Sequence, residues 1–106
     1  MINMVVMEGA ILLKPVLLEG RDGVVTEFNL EYSAINTGVE PLRFVWRCKA
    51  KDKIAHEIAE RANKGQMLTV QGMLVQESLK HGDETYVVVK LIVAECAFGR
   101  VRASVG

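Results

Sequence analysis

The chain has 106 residues, of which 50% are hydrophobic and 25% are charged. This length accommodates one domain and not two, and the composition excludes a disordered chain. Thirteen Lys and Arg residues balance thirteen Asp and Glu residues, so any cationic binding surface has to be local. The N-terminal segment lacks the basic residues that begin a signal peptide, and no apolar stretch reaches the roughly 18 residues that span a bilayer. We therefore expect a soluble cytoplasmic protein with no membrane partner.

The first third of the chain has the pattern of two strands joined by a turn. Residues 2–13 are rich in Val, Ile and Leu, and Gly9 lies among them, which predicts a buried strand that bends at the glycine. Residues 19–23 combine two glycines with an aspartate, which predicts a hairpin turn. Residues 25–34 alternate between apolar and polar side chains, which predicts a second strand with Tyr32 on its buried face.

A third strand is predicted after a loop at residues 36–41, where a glycine and a proline interrupt the pattern. From residue 43 to residue 49, Phe44, Trp46 and Cys48 share one face, and parity assigns them to the core. The opposite face carries cations that continue into the next segment, and we expect this basic stripe to neutralise phosphates: Arg43, Arg47, Lys49, Lys51 and Lys53.

The hydrophobic period changes from two to about four after the third predicted strand. Ile54, Ile58 and Ala62 lie four residues apart, which predicts one short amphipathic helix. Asp52 is suited to the N-cap of this helix, and Gly65 to its C-terminal stop.

The remainder of the chain predicts a hairpin and a short tail. Residues 67–79 and 85–98 have the composition of two strands, with Gly72 at a bend. Three strands, a helix and two strands form the order of a five-stranded Greek-key barrel, the OB-fold. The prediction is thus an all-β OB-fold domain over residues 1–98, with one short α-helix between strands 3 and 4. Residues 99–106 are expected to form a flexible C-terminal tail.

No pattern in the sequence predicts an enzyme or a metal site. His56 and His81 lie far apart, with no Cys or acidic residue at ligand spacing. The sequence contains no Gly-rich phosphate loop, no recognisable pair of nucleophile and base, and no paired carboxylates in an apolar setting. We expect no catalytic residues, no metal and no cofactor, and we expect Cys48 and Cys96 to be reduced thiols.

Three segments resemble the bacterial single-stranded-DNA-binding proteins and their smaller relative, the primosomal protein PriB. Residues 5–9 (VVMEG) form a strand with a glycine at its bend, residues 63–65 (NKG) end the helix, and residues 70–74 (VQGML) carry Gly after Gln. The resemblance covers residues 2–98 and depends on the order and spacing of these segments. It implies a homodimer or homotetramer that binds single-stranded DNA with little sequence preference, in replication, recombination or repair, with proteins of those processes as further partners.

The sequence departs from this family where bases would stack. Arg47 stands where an aromatic residue commonly lies near the end of the third strand, and Leu79 stands where another lies late in the fourth. Val75 and Glu77 occupy outward positions that are basic in the family. Arg47 can still stack through its planar guanidinium, whereas Leu79 offers only apolar contact.

The predicted nucleic-acid site combines the basic stripe with residues around the last hairpin. Arg47 and Tyr86 are the residues expected to stack on bases. Cross-strand ion pairing is an alternative explanation of the stripe, because Glu27 should lie opposite Lys49 in the neighbouring strand, and Glu31 opposite Val45. The full predicted set is Arg43, Arg47, Lys49, Lys51, Lys53, Lys80, Tyr86 and Lys90.

Two other functions stay open from the sequence. RNA or an oligosaccharide could replace DNA as the ligand of the same barrel, although no feature of the sequence favours either. An oligomeric module that binds proteins, with weak or no nucleic-acid binding, is favoured by Leu79, Glu77 and the zero net charge. A homo-oligomer is predicted because one small barrel has too many apolar positions for a single inner face: Met1, Met4, Met7, Val75, Val88 and Ile92.

Overall fold

A computed structural model of the chain describes residues 3–21, 23–34 and 42–101. No helix in these ranges is long and apolar enough to cross a membrane. In chain order the elements are β1 (Val5–Ile11), β2 (Val16–Gly20), β3 (Gly23–Ala34), β4 (Leu42–Lys51), α1 (Asp52–Arg61), β5 (Gln66–His81) and β6 (Glu84–Val101).

The strands form one sheet that closes on itself. Their order is β1-β5-β6-β4-β3-β2, and β1 also pairs with β3, which joins β1, β5, β6, β4 and β3 into a ring. Neighbouring strands are antiparallel except β4 and β6, which are parallel. The predicted all-β OB-fold barrel, with one helix between the third and fourth predicted strands, is confirmed.

The strand β2 is absent from the sequence prediction. It pairs with β3 from Val16 to Gly20 and follows β1 after a short interruption. Most of its side chains are exposed, Val16 and Leu18 among them, so β2 has no buried face that a pattern could reveal. Backbone pairing with β3 holds this strand in the sheet, and Leu17 alone of its residues packs against the core.

The core fills the barrel with the inward residues of the alternating strands. Leu30, Leu68 and Leu91 are almost completely buried, and each contributes about 1.5–3 kcal/mol relative to an exposed side chain. Helix α1 packs against the strands through Ala55 and Ile58, which are fully buried.

Two aromatic residues that parity assigns to the core lie outside it. Cys48 is buried and Trp46 packs against the core, as expected, but Tyr32 is 50% exposed and Phe44 is 43% exposed. Their rings stack on each other, with centroids 6.5 Å apart. Parity fails here because the pairing of β1 with β3 ends at Ala10 and Glu31, one residue before Tyr32. Tyr32 and Phe44 therefore line an open depression beside β1.

Both ends of α1 differ from the prediction. Lys51 is the N-cap, and Asp52 is the first helical residue, with a φ of 53°. The helix ends at Arg61 because Ala62 already has an extended backbone. Gly65, the predicted stop, adopts a φ of 86° in the turn that leads into β5, where its N–H donates to the carbonyl of Ile11.

Lys14, in the segment between β1 and β2, caps the C-terminus of α1. Its ammonium donates to the carbonyl of Ala59 at 3.3 Å and to that of Ala62 at 3.2 Å. A cation at this end also interacts favourably with the helix dipole.

Replacing Lys14 with Met should therefore lower the free energy of unfolding by about 0.5–1 kcal/mol, because the last carbonyls of α1 lose their charged donor. Urea unfolding followed by circular dichroism measures this change. Lys64→Met is the control, since Lys64 is exposed beyond the helix. Equal stability of the two variants would show that Lys14 does not cap the helix.

Strand β6 extends to Val101, which lies opposite Gln66. Residues 99–101 of the predicted tail thus belong to the sheet. Residues 102–106 and the predicted loop at 36–41 lie outside the described residues.

Candidate nucleic-acid interface

The pairing of β3 with β4 determines which side chains share the outer face of the barrel. Glu27 lies opposite Lys49, Asn29 opposite Arg47, and Glu31 opposite Val45. The predicted positions of both glutamates are confirmed. Asn29 and Arg47 are exposed, because their neighbours in each strand point into the core.

The hairpin of β5 and β6 borders this outer face. Leu79 pairs with Tyr86 near its tip, and both side chains are about half exposed, at 43% and 48%. One cleft is lined by Asn29, Arg47 and Leu79, and the adjacent cleft by Arg47, Leu79, Lys80 and Tyr86. Since Arg47 and Leu79 line both clefts, the two form one continuous depression.

A third cleft extends the depression in the opposite direction along β4. It is lined by Arg21, from the turn after β2, together with Lys49 and Lys51. Lys49 follows Arg47 by two residues on the same face, so this cleft lies next to the others along β4, although it shares no lining residue with them. We call the combined surface the outer groove and define it by Arg21, Asn29, Arg47, Lys49, Lys51, Leu79, Lys80 and Tyr86.

Lys90, a predicted DNA-binding residue, is not a free cation. The residue is 7% exposed, and its ammonium lies 3.0 Å from a carboxylate oxygen of Glu27 and 2.8 Å from one of Glu77. The hydrogen bond from Lys90 lowers the pKa of Glu77, and the same bond raises the pKa of Lys90. The other oxygen of Glu77 lies 3.5 Å from the ammonium of Lys49. Lys90 therefore organises the carboxylates beside the outer groove.

Replacing Lys90 with Met should lower the free energy of unfolding by about 2 kcal/mol, because Glu27 and Glu77 would face each other without their shared cation. The loss stays below that of a fully buried pair, since Glu77 keeps Lys49. Urea unfolding tests this, with Lys90→Arg as the control that keeps the charge. A Met variant as stable as the wild type would contradict this role of the network.

The remaining predicted site residues have different positions. Lys53 is exposed in the first turn of α1 and lines none of the three clefts. Arg43 lies opposite Ser33 in the register of β3 and β4, and its side chain is outside the described part of the structure. The hydroxyl of Tyr86 donates to the carboxylate of Glu84, which raises the pKa of Tyr86.

Three groove residues, Arg21, Asn29 and Leu79, are missing from the predicted set, although the sequence already marked Leu79 as standing at a stacking position of the family. Asn29 could have been found, because the predicted register already placed it opposite Arg47. Arg21 carries no such signal, since its position depends on the pairing of β2, which the sequence pattern does not reveal.

The two cysteines are free, and they differ in burial. Burial raises the pKa of Cys48 to about 12, while Cys96 is only partly buried. Within the described ranges, no group of three or more His, Cys, Asp or Glu residues could hold a metal ion.

Alkylation by iodoacetamide at about pH 8 should therefore label Cys96 well before Cys48, because a thiol reacts as its thiolate and Cys48 is both protonated and shielded. Mass spectrometry of timed samples measures the two rates, and labelling in urea provides the control. Equal rates in the native protein would contradict the burial of Cys48.

The barrel and its outer groove define the class of fold, an OB-fold with a cationic surface across β3 and β4.

No model of a known protein family matches the sequence, and no curated protein matches it. Solved structures are similar to nearly the whole chain, and two examples follow. The SSB of Plasmodium falciparum in complex with ssDNA has a TM-score of 0.85 at 18% identity, covering 94% of this chain and 96% of that one. The small single-stranded DNA-binding protein from Streptomyces coelicolor has a TM-score of 0.76 at 16% identity, covering 93% and 96%. Both similarities confirm the predicted OB-fold.

Proposed function

We propose that this protein binds single-stranded DNA along the outer groove with little sequence preference. The observation that carries the proposal is a row of neighbouring clefts on one face of the barrel, which brings together cations from three parts of the chain and the exposed side chains of Leu79 and Tyr86. Such a surface suits a flexible polyanion with stacking bases. Both similar structures are of proteins named for this ligand, and one contains it.

Each type of groove residue has a distinct role in the proposal. Arg21, Lys49, Lys51 and Lys80 neutralise phosphates, and their flexible stems follow a backbone without reading its sequence. Arg47 lies at the junction of the clefts, where its guanidinium can stack on a base and hold a phosphate. Leu79 and Tyr86 supply the apolar contacts for bases. Lys53 and Arg43 contact the strand only where it extends beyond the groove, and Lys90 acts by positioning Glu77.

Anisotropy of a labelled oligothymidine of about 30 bases tests the proposal, because this length exceeds the site of one OB-fold. If the five groove cations each neutralise one phosphate, the logarithm of the association constant should fall with the logarithm of salt concentration at a slope of about −3.5. A duplex of equal length should bind more weakly, and an oligouridine shows whether RNA is accepted. No binding of oligothymidine at low salt would refute the proposal.

We further infer that the protein acts in DNA replication, recombination or repair, in the cytoplasm, as a homodimer or homotetramer. Exposed apolar residues support self-association, among them Met4 at 61% and Val6 at 58%. Met7, Val75, Val88 and Ile92 are partly buried, and Met1 lies outside the described residues. Sedimentation velocity should give at least twice the monomer mass, whereas a monomer at all concentrations would contradict self-association.

One observation favours the alternative function, an interaction module for proteins. Val6, Met7, Tyr32, Phe44 and Trp46 line a mostly apolar depression that shares no lining residue with the outer groove. A protein that failed to bind any nucleic acid, but lost a binding partner when Tyr32 and Phe44 were replaced, would favour this function.

A further inference from the structure

Glu77 places a carboxylate beside one of the cations of the outer groove. It lies on β5, and its two oxygens contact two different lysines: Lys90 at 2.8 Å and Lys49 at 3.5 Å. A phosphate that approached the ammonium of Lys49 would meet this carboxylate.

The two contacts of Glu77 differ in strength. Lys90 is nearly buried, its contact is short, and it is held by Glu27 as well. Lys49 is more exposed, with 23% of its side-chain surface accessible, and its contact with Glu77 is longer. Lys49 can therefore leave Glu77, while Lys90 keeps the carboxylate in place and neutralised. Because these lysines hold the pKa of Glu77 below its ordinary value, the carboxylate is charged at neutral pH.

We propose that Glu77 is an internal competitor for the DNA phosphate at Lys49 and thereby limits the affinity of the outer groove. The inference rests on the proposed function. A bound strand exchanges the Lys49–Glu77 pair for a Lys49–phosphate pair, so the free energy of the phosphate contact is reduced by that of the pair it replaces. Lys90 makes this exchange reversible, since Glu77 keeps one cation throughout.

Replacing Glu77 with Gln tests the competition, because the amide keeps the shape and removes the charge. We expect oligothymidine to bind about two- to fivefold more tightly, which corresponds to the loss of one partly exposed ion pair. The salt slope should stay near the wild-type value, because Lys49 contacts a phosphate in both proteins and only the competing pair is removed. A Glu77→Gln protein that binds equally or more weakly, while the wild type binds, overturns the inference and leaves the proposed function intact.

A matched variant separates competition at Lys49 from the general effect of removing one negative charge. Glu57→Gln removes the same charge from helix α1, where Glu57 pairs with Arg61 at 3.1 Å, and should leave affinity unchanged. In a Lys49→Met background, Glu77→Gln should no longer tighten binding. A gain of the same size in that background would show that Glu77 does not act through Lys49.

A measurement on the unaltered protein covers the case in which the Gln variant is poorly folded. The pKa of the Glu77 carboxyl, followed by carbon NMR, should rise when the protein is saturated with oligothymidine, because Lys49 leaves it for a phosphate. An unchanged pKa in the DNA complex contradicts the exchange. Failure of the wild type to bind any DNA instead refutes the proposed function.

Discussion

Replacing Gly72 with Ala is expected to lower the free energy of unfolding by about 3 kcal/mol, the upper end of what overpacking a core costs. The register of β5 and β6 shifts between Gln71 and Gly72. This irregularity brings the backbone of β6 so close that a Cβ on residue 72 would overlap the carbonyl of Ile92. The overlapping atoms belong to the backbone of β6, so the clash can be removed only if β5 and β6 move apart. Urea unfolding measures the loss.

Gly20→Ala is the matched control for this prediction. Gly20 also lies in a strand, but the nearest atom to an added Cβ is the carbonyl oxygen of Gly23 at 3.8 Å, an ordinary contact. The control should retain the stability of the wild type. Equal stability of the Gly72 and Gly20 variants would show that the strands are not as close at the bulge as the structure places them.

Replacing Arg47 with Ala is expected to weaken the binding of oligothymidine about tenfold to a hundredfold at about 50 mM salt. The variant loses both a phosphate contact and a stacking surface, and a base stack alone contributes about 1–3 kcal/mol. The salt slope should become shallower by about 0.7. Arg47→Lys keeps the charge without the planar group, so it should restore the slope but only part of the affinity.

Lys64→Ala controls for the loss of any cation from the surface. Lys64 is exposed in the turn between α1 and β5 and lines none of the three clefts that form the outer groove. Its variant should bind like the wild type. If Arg47→Ala and Lys64→Ala lowered affinity equally, the DNA would follow a different face of the barrel.

The barrel was predictable from the sequence because apolar residues alternate with polar ones along its strands, as their side chains alternate between the core and the surface. The alternation through β3 separates buried Phe28 and Leu30 from exposed Glu27 and Asn29, and β4 has the same pattern. Together with the change of period at the helix, this gave the order of elements and the pairing of Glu27 with Lys49.

The rest depends on contacts that a local pattern does not encode. Nothing in the residues around Lys90 distinguishes it from an exposed lysine. It is buried between the carboxylates of Glu27 on β3 and Glu77 on β5, which the fold brings to it. Tyr32 continues a buried pattern, yet it lies beyond the short pairing of β1 with β3. Arg21 joins the outer groove only through the turn after β2. In each case distant segments meet, and the fold must be known first.

The most direct test of the central claim is a titration of nitrogen-15-labelled protein with oligothymidine, followed by NMR of the backbone amides. The DNA should shift amide signals of the outer groove, with the largest changes at Asn29, Arg47, Leu79 and Tyr86. Amides of α1 and of the β1–β5 pair should change little, because they lie outside the groove. Shifts confined to α1 or β1, or no shifts at low salt, would contradict the claim that single-stranded DNA binds across β3 and β4.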